Sequence, residues 1–300
     1  MTQHVKNKPD STIFWGTTSF IGMALGLAVC ANAVPVEYFY LEGLAEPKRW
    51  APSECELSVS PHKAWERPAL AMRIPIDYST GEKQYPIGWP RMYLTLKKEE
   101  QVWYEYDRLE FQILAESSRP ALPKRPLIFQ VHDQQGQKKL TTLDMAAIGE
   151  WRTVQINTRD LGLAGTITRL GFNINEKDYQ DKDFVAFHFG GFRLALVTAA
   201  SVAELSMSAP VIFCDSRVLP LELVVEGPDA DLASGIPVQV ASQDGIVLTH
   251  KVAVSRGRQT VFIPLAGADM SPGKYSATVF PDDRERSKTV AVTLTTTPWR

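Results

Sequence analysis

Eight polar side chains of this sequence share a chemistry that suits the recognition of hydroxyl groups. They alternate with apolar residues along short segments, and they are Arg73, Glu110, Gln112, Gln130, His132, Asn173, Asn175 and His188. Planar amide, imidazole, carboxylate and guanidinium groups can satisfy a sugar hydroxyl, which is both donor and acceptor. The pattern predicts a ligand-binding face. A sheet face is also polar when it simply meets water, so a solvated surface remains the alternative.

Aromatic side chains are the second candidate for sugar binding, because a flat ring can stack on the apolar face of a pyranose. Tyr104 and Tyr106 lie in a polar connection between two apolar runs, and we include them among the predicted ligand-binding residues. Large rings are more often mostly buried. We therefore expect Trp89 and Trp151 to be buried, with Trp89 closing one end of the sandwich.

Motifs for catalysis or metal binding are missing from the sequence. It contains no Gly-x-Ser-x-Gly, no His-Glu-x-x-His and no Gly-x-x-x-x-Gly-Lys. His62, His132, His188 and His250 are not paired at ligand spacing. Lysines interrupt the acidic segment 176–183, which favours a solvated loop over a calcium site. We predict no enzymatic activity, no cofactor and no metal, although paired carboxylates need only spatial proximity.

Short strands must position these side chains, because apolar residues recur at every second position of several segments. Four such inward sets are Leu70, Met72, Ile74 and Ile76; Leu109, Phe111 and Ile113; Leu127, Phe129 and Val131; and Leu170, Phe172 and Ile174. Gly190 and Gly191 interrupt the last strand of this region, and we expect a β-bulge there. The chain is predicted to be all-β.

Two β-domains can be placed along the chain. The first covers 34–197, and the small-residue segment 198–209 is predicted to be a linker. Residues 210–300 contain seven short apolar runs separated by turns, which indicate an immunoglobulin-like or fibronectin-III-like β-sandwich. This second domain is expected to act as a spacer or as a docking site for a protein partner.

The first 33 residues have the layout of a cleavable signal peptide. A mildly basic head precedes an apolar run from Ile13 to Val29, and Ala31-Asn32-Ala33 supplies the small residues that signal peptidase reads. Cleavage before Val34 would make the protein secreted or periplasmic, with no membrane contact afterwards. An uncleaved anchor and lipidation at Cys30 are the two alternatives.

The net charge indicates which class of partner is excluded, and the cysteine content indicates whether a disulfide can form. The formal net charge is −2 with no long basic run, which speaks against nucleic acid as a partner. Two cysteines follow the signal peptide, Cys55 and Cys214. In an oxidising compartment they could form a disulfide between the two domains, or they could remain buried thiols.

Five segments of the first domain resemble the jelly-roll, galactose-binding-like sandwiches of carbohydrate-binding modules. The segments are YPIGWPR, WYEYDRLEFQI, GEWRTVQI, RLGFNINEKDY and FHFGGFRL, all between roughly residues 40 and 197. The resemblance implies a jelly roll that binds a glycan or polysaccharide. We therefore expect an exported, non-catalytic carbohydrate-binding protein. The alternative is a structural or protein-interaction component of a periplasmic or cell-surface assembly.

Overall fold

The computed structural model describes residues 34–79, 87–144, 146–162, 165–265 and 270–298. Within these ranges nearly all regular structure is β-strand, which confirms the predicted all-β class. Residues 32–300 belong to one compact unit. The predicted signal peptide lies outside the described residues. In the described ranges, no helix is long and apolar enough to cross a bilayer.

Eleven strands build the N-terminal part of this unit. They are β1 Val36–Tyr40, β2 Ala51–Ser53, β3 Glu56–Val59, β4 Ala69–Pro75, β5 Arg91–Thr95, β6 Arg108–Ser117, β7 Ile128–Asp133, β8 Lys138–Thr142, β9 Arg152–Asn157, β10 Ile167–Asn173 and β11 Phe184–Val197. Short 3-10 turns lie at Glu42–Ala45, Pro47–Arg49, Lys98–Glu100, Arg159–Leu161 and Glu176–Asp178.

These strands form two antiparallel sheets that share one core. The first sheet has the order β3-β4-β11-β6-β9, with β1 added along the second half of β11. The second sheet has the order β2-β5-β10-β7-β8. The inward side chains of both sheets join a single hydrophobic cluster, so this region is a β-sandwich. Its finer assignment to the jelly roll remains a prediction.

Phenylalanine rings fill the centre of this sandwich. Phe172 on β10 lies 5.8 Å from Phe111 and 4.2 Å from Phe189, which both belong to the opposite sheet, measured between ring centroids. Phe129 on β7 is 5.2 Å from the same ring. The inward alternation predicted for β4, β6, β7 and β10 is confirmed, because burial of one sheet face requires a period of two.

The predicted bulge at Gly190 and Gly191 is confirmed. The register between β11 and β6 shifts between Gly190 and Arg193. Gly191 has a φ of +67°, and a Cβ at this position would come within 2.4 Å of the Trp65 ring. Only glycine meets both conditions at low energy. The bulge bends the 14-residue strand β11, so β4 pairs with its first half and β1 with its second.

Eight further strands and one short helix make up the C-terminal part. They are β12 Ser201–Met207, β13 Ile212–Phe213, β14 Val218–Glu226, α1 Asp229–Leu232, β15 Ile236–Ser242, β16 Gly245–Val252, β17 Gly257–Pro264, β18 Gly273–Val279 and β19 Lys288–Thr295. They form a β12-β14-β17 sheet and a β13-β19-β18-β15-β16 sheet around a second hydrophobic cluster. Its immunoglobulin-like assignment remains a prediction.

The segment predicted as a linker is largely a strand. Ser201–Met207 pairs antiparallel with β14, and Val202 is buried in the second core. A register shift between Val202 and Glu204 lets Val202, Leu205 and Met207 all pack toward the second core. The small-residue composition and this break in the period of two concealed the strand.

Cys55 and Cys214 are free thiols, so the candidate disulfide between them does not form in this structure. The reason is that each packs against a different core. Cys55 belongs to the first cluster and donates to the Arg91 carbonyl at 3.3 Å, while Cys214 packs against the second cluster. Burial raises the pKa of Cys55 to about 11, which keeps this thiol protonated and unreactive.

Buried ion pairs join the two cores. The Asp107 carboxylate precedes β6 and accepts two hydrogen bonds from Arg256, at 3.0 and 2.8 Å. Beside it, Arg108 bridges Glu110 in the first core and Glu226 in the second. Burial raises the pKa of Glu226, against the opposing effect of Arg108. These contacts tie β6 to the ends of β14 and β17.

Candidate functional site

Three of the ten predicted ligand-binding residues come together on the outer face of the second sheet. We call this surface the β5–β10–β7 face. It carries the outward side chains of three adjacent strands, together with Trp89 from the segment before β5. Its members are Trp89, Arg91, Tyr93, Gln130, His132, Arg169, Gly171 and Asn173.

A chain of hydrogen bonds crosses this face. The Trp89 indole N–H donates to Asn173 Oδ1 at 3.1 Å, and Asn173 Nδ2 donates to Gln130 Oε1 at 3.4 Å. Gln130 Nε2 lies 2.8 Å from His132 Nε2. An amide nitrogen can only donate, so His132 accepts through Nε2. Burial and the nearby Arg169 and Lys138 charges lower the pKa of His132, which favours the neutral, accepting ring.

Two aromatic rings lie beside this chain. The Tyr93 ring covers the backbone of Gly171, where a Cβ would come within 2.4 Å of the ring. Glycine at 171 therefore permits the ring to approach the backbone closely. Trp89 is 48% exposed, so the prediction that it closes the sandwich as a buried ring is wrong. Its backbone N–H donates to Glu54 Oε2 at 2.6 Å, which keeps the ring at the edge of the face.

Arginine side chains lie beside both rings, and the exposed Glu54 carboxylate lies beside the Trp89 backbone. The Arg169 guanidinium lies 4.0 Å from the centroid of Tyr93, and that of Arg91 lies 5.2 Å from the centroid of Trp89. Lys138 stands opposite His132 in the sheet register. Among the described residues, no carboxylate lies within ion-pair distance of Arg169. The face thus combines stacking surfaces, planar hydrogen-bonding groups and cations.

Glu110, Gln112 and Arg73 lie elsewhere, on the first sheet. Glu110 is 1% exposed and pairs with Arg108 and Arg193, so it is part of the junction between the cores and not open to solvent. Gln112 accepts a hydrogen bond from the Trp65 backbone at 2.9 Å. Arg73 is exposed, with its guanidinium 5.3 Å from the Phe184 ring centroid. The period of two located these positions on the outer side but could not show which segments cover them.

Asn175, Tyr104 and Tyr106 lie in connections. Asn175 follows β10, and its amide approaches Asp178 at 3.4 Å. Tyr104 is 52% exposed. Tyr106 is half-buried, with its ring 6.0 Å from that of Phe39. Among the described residues, none of the three forms a hydrogen bond, an ion pair or a ring contact with the β5–β10–β7 face, although Tyr104 has the exposure that stacking needs.

The acidic segment 176–183 contacts the segment that carries Trp89. Most of the acidic segment is exposed or half-buried, as expected for a solvated loop, but Glu176 and Tyr179 are buried. Glu176 accepts hydrogen bonds from the backbone N–H groups of Asp77 and Gly88. Because Gly88 precedes Trp89, this carboxylate helps to fix the segment that carries the exposed indole.

A separate polar cluster lies on the first sheet. His62, Glu116 and His188 each offer a ligand atom, and these atoms lie within 4.8 Å of one another. A hydrogen bond from His62 lowers the pKa of Glu116, while burial lowers that of His188. Sequence reasoning missed this cluster, because its members are far apart along the chain.

Sequence comparisons do not assign the chain to a family, since neither a family model nor a curated protein matches it. The solved structures to which it is similar include a β-1,2-glucanase from Parabacteroides distasonis, at 16% identity and a TM-score of 0.36. The alignment covers 87% of this chain and 37% of the glucanase. This chain therefore spans little more than a third of that protein.

Two smaller proteins are aligned over most of their length. The carbohydrate-binding module TmCBM27, whose structure concerns specific mannan recognition, is 15% identical with a TM-score of 0.32, over 53% of this chain and 95% of the module. The adhesin domain of Epf from Streptococcus pyogenes is 10% identical with a TM-score of 0.24, over 88% and 93%. Likenesses this low carry no argument about the ligand.

Proposed function

We propose that this protein is an exported, non-catalytic glycan-binding protein and that the β5–β10–β7 face is its binding surface. The observation that carries this proposal is the half-exposed Trp89, whose indole N–H is held by Asn173. Fixing the ring before a ligand arrives reduces the entropy lost on binding. The half-buried His132 supplies a directional partner for a hydroxyl group. Gln130 and Asn173, which are 4% and 1% exposed, position His132 and the Trp89 ring from beneath.

The charges of this face favour an acidic sugar. The exposed Arg169 lies over the Tyr93 ring and Lys138 stands opposite His132, and guanidinium groups bind carboxylates through paired hydrogen bonds. The outer face of a sheet also suits an extended polysaccharide better than a small molecule, which usually binds in a concave pocket. A polymer containing uronic acids is accordingly the ligand class that we propose.

A glycan array followed by calorimetric titration tests this function. We expect the array to select acidic polysaccharides, and we expect Trp89→Ala to weaken binding of the selected polymer about tenfold, or 1.4 kcal/mol, through lost stacking. Tyr104→Ala is the matched control, because it also removes an exposed ring but lies off the face. Its affinity should equal that of the unchanged protein.

Two results would oppose the proposal. The first is equal glycan affinity of Trp89→Ala and the unchanged protein, with melting temperatures preserved. This result would show that the β5–β10–β7 face is exposed to solvent but does not bind the glycan. Absence of any bound glycan would favour the interaction-component alternative. Shortening of the polymer during incubation would contradict the non-catalytic part of the proposal.

Export is tested separately. We expect secreted or periplasmic material to begin at Val34, because Ala31-Asn32-Ala33 matches the pattern of a signal peptidase site. N-terminal sequencing of material from an expressing culture would check this. Protein that retains Met1, or that begins at a modified Cys30, would contradict it.

A further inference from the structure

The connection between β3 and β4, residues 60–68, lies directly on the outer face of β11. The Trp65 backbone donates to Gln112, and a Cβ at Gly190 would come within 2.7 Å of the Ala64 Cβ. The connection thereby covers His188 and brings His62 beside it, with their ring centroids 4.9 Å apart. Glu116 on β6 completes the group.

We propose that His62, Glu116 and His188 form a binding site for a divalent transition metal, with Zn²⁺ the best match. Two imidazoles and one carboxylate are typical zinc ligands, and a three-ligand set leaves a fourth position open for water. Nitrogen ligands argue against Ca²⁺ and Mg²⁺, which prefer oxygen.

The buried His188 ring provides the strongest support. The residue is 3% exposed, yet its Nε2 has no hydrogen-bond partner. A buried polar atom without a partner is costly and calls for an explanation. Nε2 faces Glu116 Oε2 at 3.6 Å, too far for a hydrogen bond. A metal ion between these groups would satisfy the orphaned nitrogen.

The other nitrogen of His188 is held as a metal ligand requires. His188 Nδ1 lies 2.9 Å from Ser60 Oγ, which also accepts the His62 backbone N–H at 3.0 Å. Metal-binding histidines usually donate their second N–H to such a partner, which fixes the tautomer and the ring orientation. Ser60 therefore orients His188 and anchors the segment that carries His62.

The distances between the candidate ligand atoms are compatible with a zinc site. Tetrahedral zinc with bonds near 2.1 Å places its ligand atoms about 3.4 Å apart. His62 Nε2 lies 3.0 Å from Glu116 Oε1, and His188 Nε2 lies 3.6 Å from Glu116 Oε2. The two nitrogens face different oxygens of Glu116, and one ligand atom from each of the three residues lies within 4.8 Å of the others. We expect the Glu116 carboxylate to rotate so that one oxygen, or both, meets the ion. The Glu116 side chain is 46% exposed and leaves an entry path.

Zinc titration of the purified, chelator-treated protein tests the site. Calorimetry should show saturable binding of one Zn²⁺ per chain, and zinc should raise the melting temperature, because an ion that binds only the folded state stabilises it. His62→Ala should abolish both effects. Ser60→Ala should weaken binding 10- to 100-fold, as expected when a group that orients a ligand is lost.

His250→Ala is the matched control, since it removes a histidine of the C-terminal part and should bind zinc like the unchanged protein. Replacement of the buried His188 could prevent folding, so Glu116→Gln serves as the second test and should also lose binding. The proposal is overturned if the unchanged protein shows no saturable 1:1 binding, or if His62→Ala and Glu116→Gln retain it. The site is on the opposite sheet from the β5–β10–β7 face, so the result is independent of glycan binding.

Discussion

Asp107→Ala should lower the free energy of unfolding by about 3–5 kcal/mol, the loss expected when one partner of a buried ion pair is removed. Asp107 is 1% exposed. Its carboxylate accepts two of the three hydrogen bonds that Arg256 donates, and it also accepts the backbone N–H of Val197 at 2.8 Å. Alanine would leave the Arg256 guanidinium, 13% exposed, without its partner.

The position of Asp107 adds to this effect. Val197 ends β11 in the first core, while Arg256 precedes β17 in the second. The carboxylate therefore holds the two cores together as well as satisfying a buried cation. Urea denaturation, followed by circular dichroism and tryptophan fluorescence, measures the loss.

Asp160→Ala is the matched control for this prediction. Asp160 also pairs with an arginine across the two cores, Arg258, at 3.3 Å, but the side chains are 32% and 47% exposed. Exposed pairs contribute about 0–1 kcal/mol, so this variant should be nearly as stable as the unchanged protein. Equal losses in both variants would contradict the importance of burial at Asp107.

Phe172→Ala should cost about 3–5 kcal/mol, because it creates a cavity in the centre of the first core. The Phe172 ring is fully buried. Four rings lie within 6 Å of its centroid, those of Trp50, Phe111, Phe129 and Phe189. They come from both sheets, so no single neighbour can move to fill the space.

Phe262→Ala tests whether the loss comes from burial. Phe262 is also on a strand, β17, but is 60% exposed, and its removal should change stability by at most about 0.5 kcal/mol. A loss below 1 kcal/mol in Phe172→Ala would show that the core relaxes around the cavity. Because Gly171 and Asn173 flank Phe172, the same variant should also disturb the β5–β10–β7 face.

Tertiary contacts decided which predicted polar residues meet. Trp89 and Asn173 are 84 residues apart, and Ser60 and His188 are 128 apart. Alternation shows on which side of a strand a residue lies, but strand order comes from pairing between distant segments. Thus Gln130, His132 and Asn173 share a face, whereas Arg73, Glu110, Gln112 and His188 lie on the other sheet.

The sequence by itself determined the all-β class, the inward side of the main strands and the bulge in β11. These features depend on the period of two and on glycine, which are local properties of the chain. Only the tertiary structure decided that Trp89 is exposed, that Cys55 and Cys214 belong to different cores and that His62 lies beside His188. Each of these outcomes depends on which connection covers which sheet face, and that choice arises from packing between segments remote in sequence.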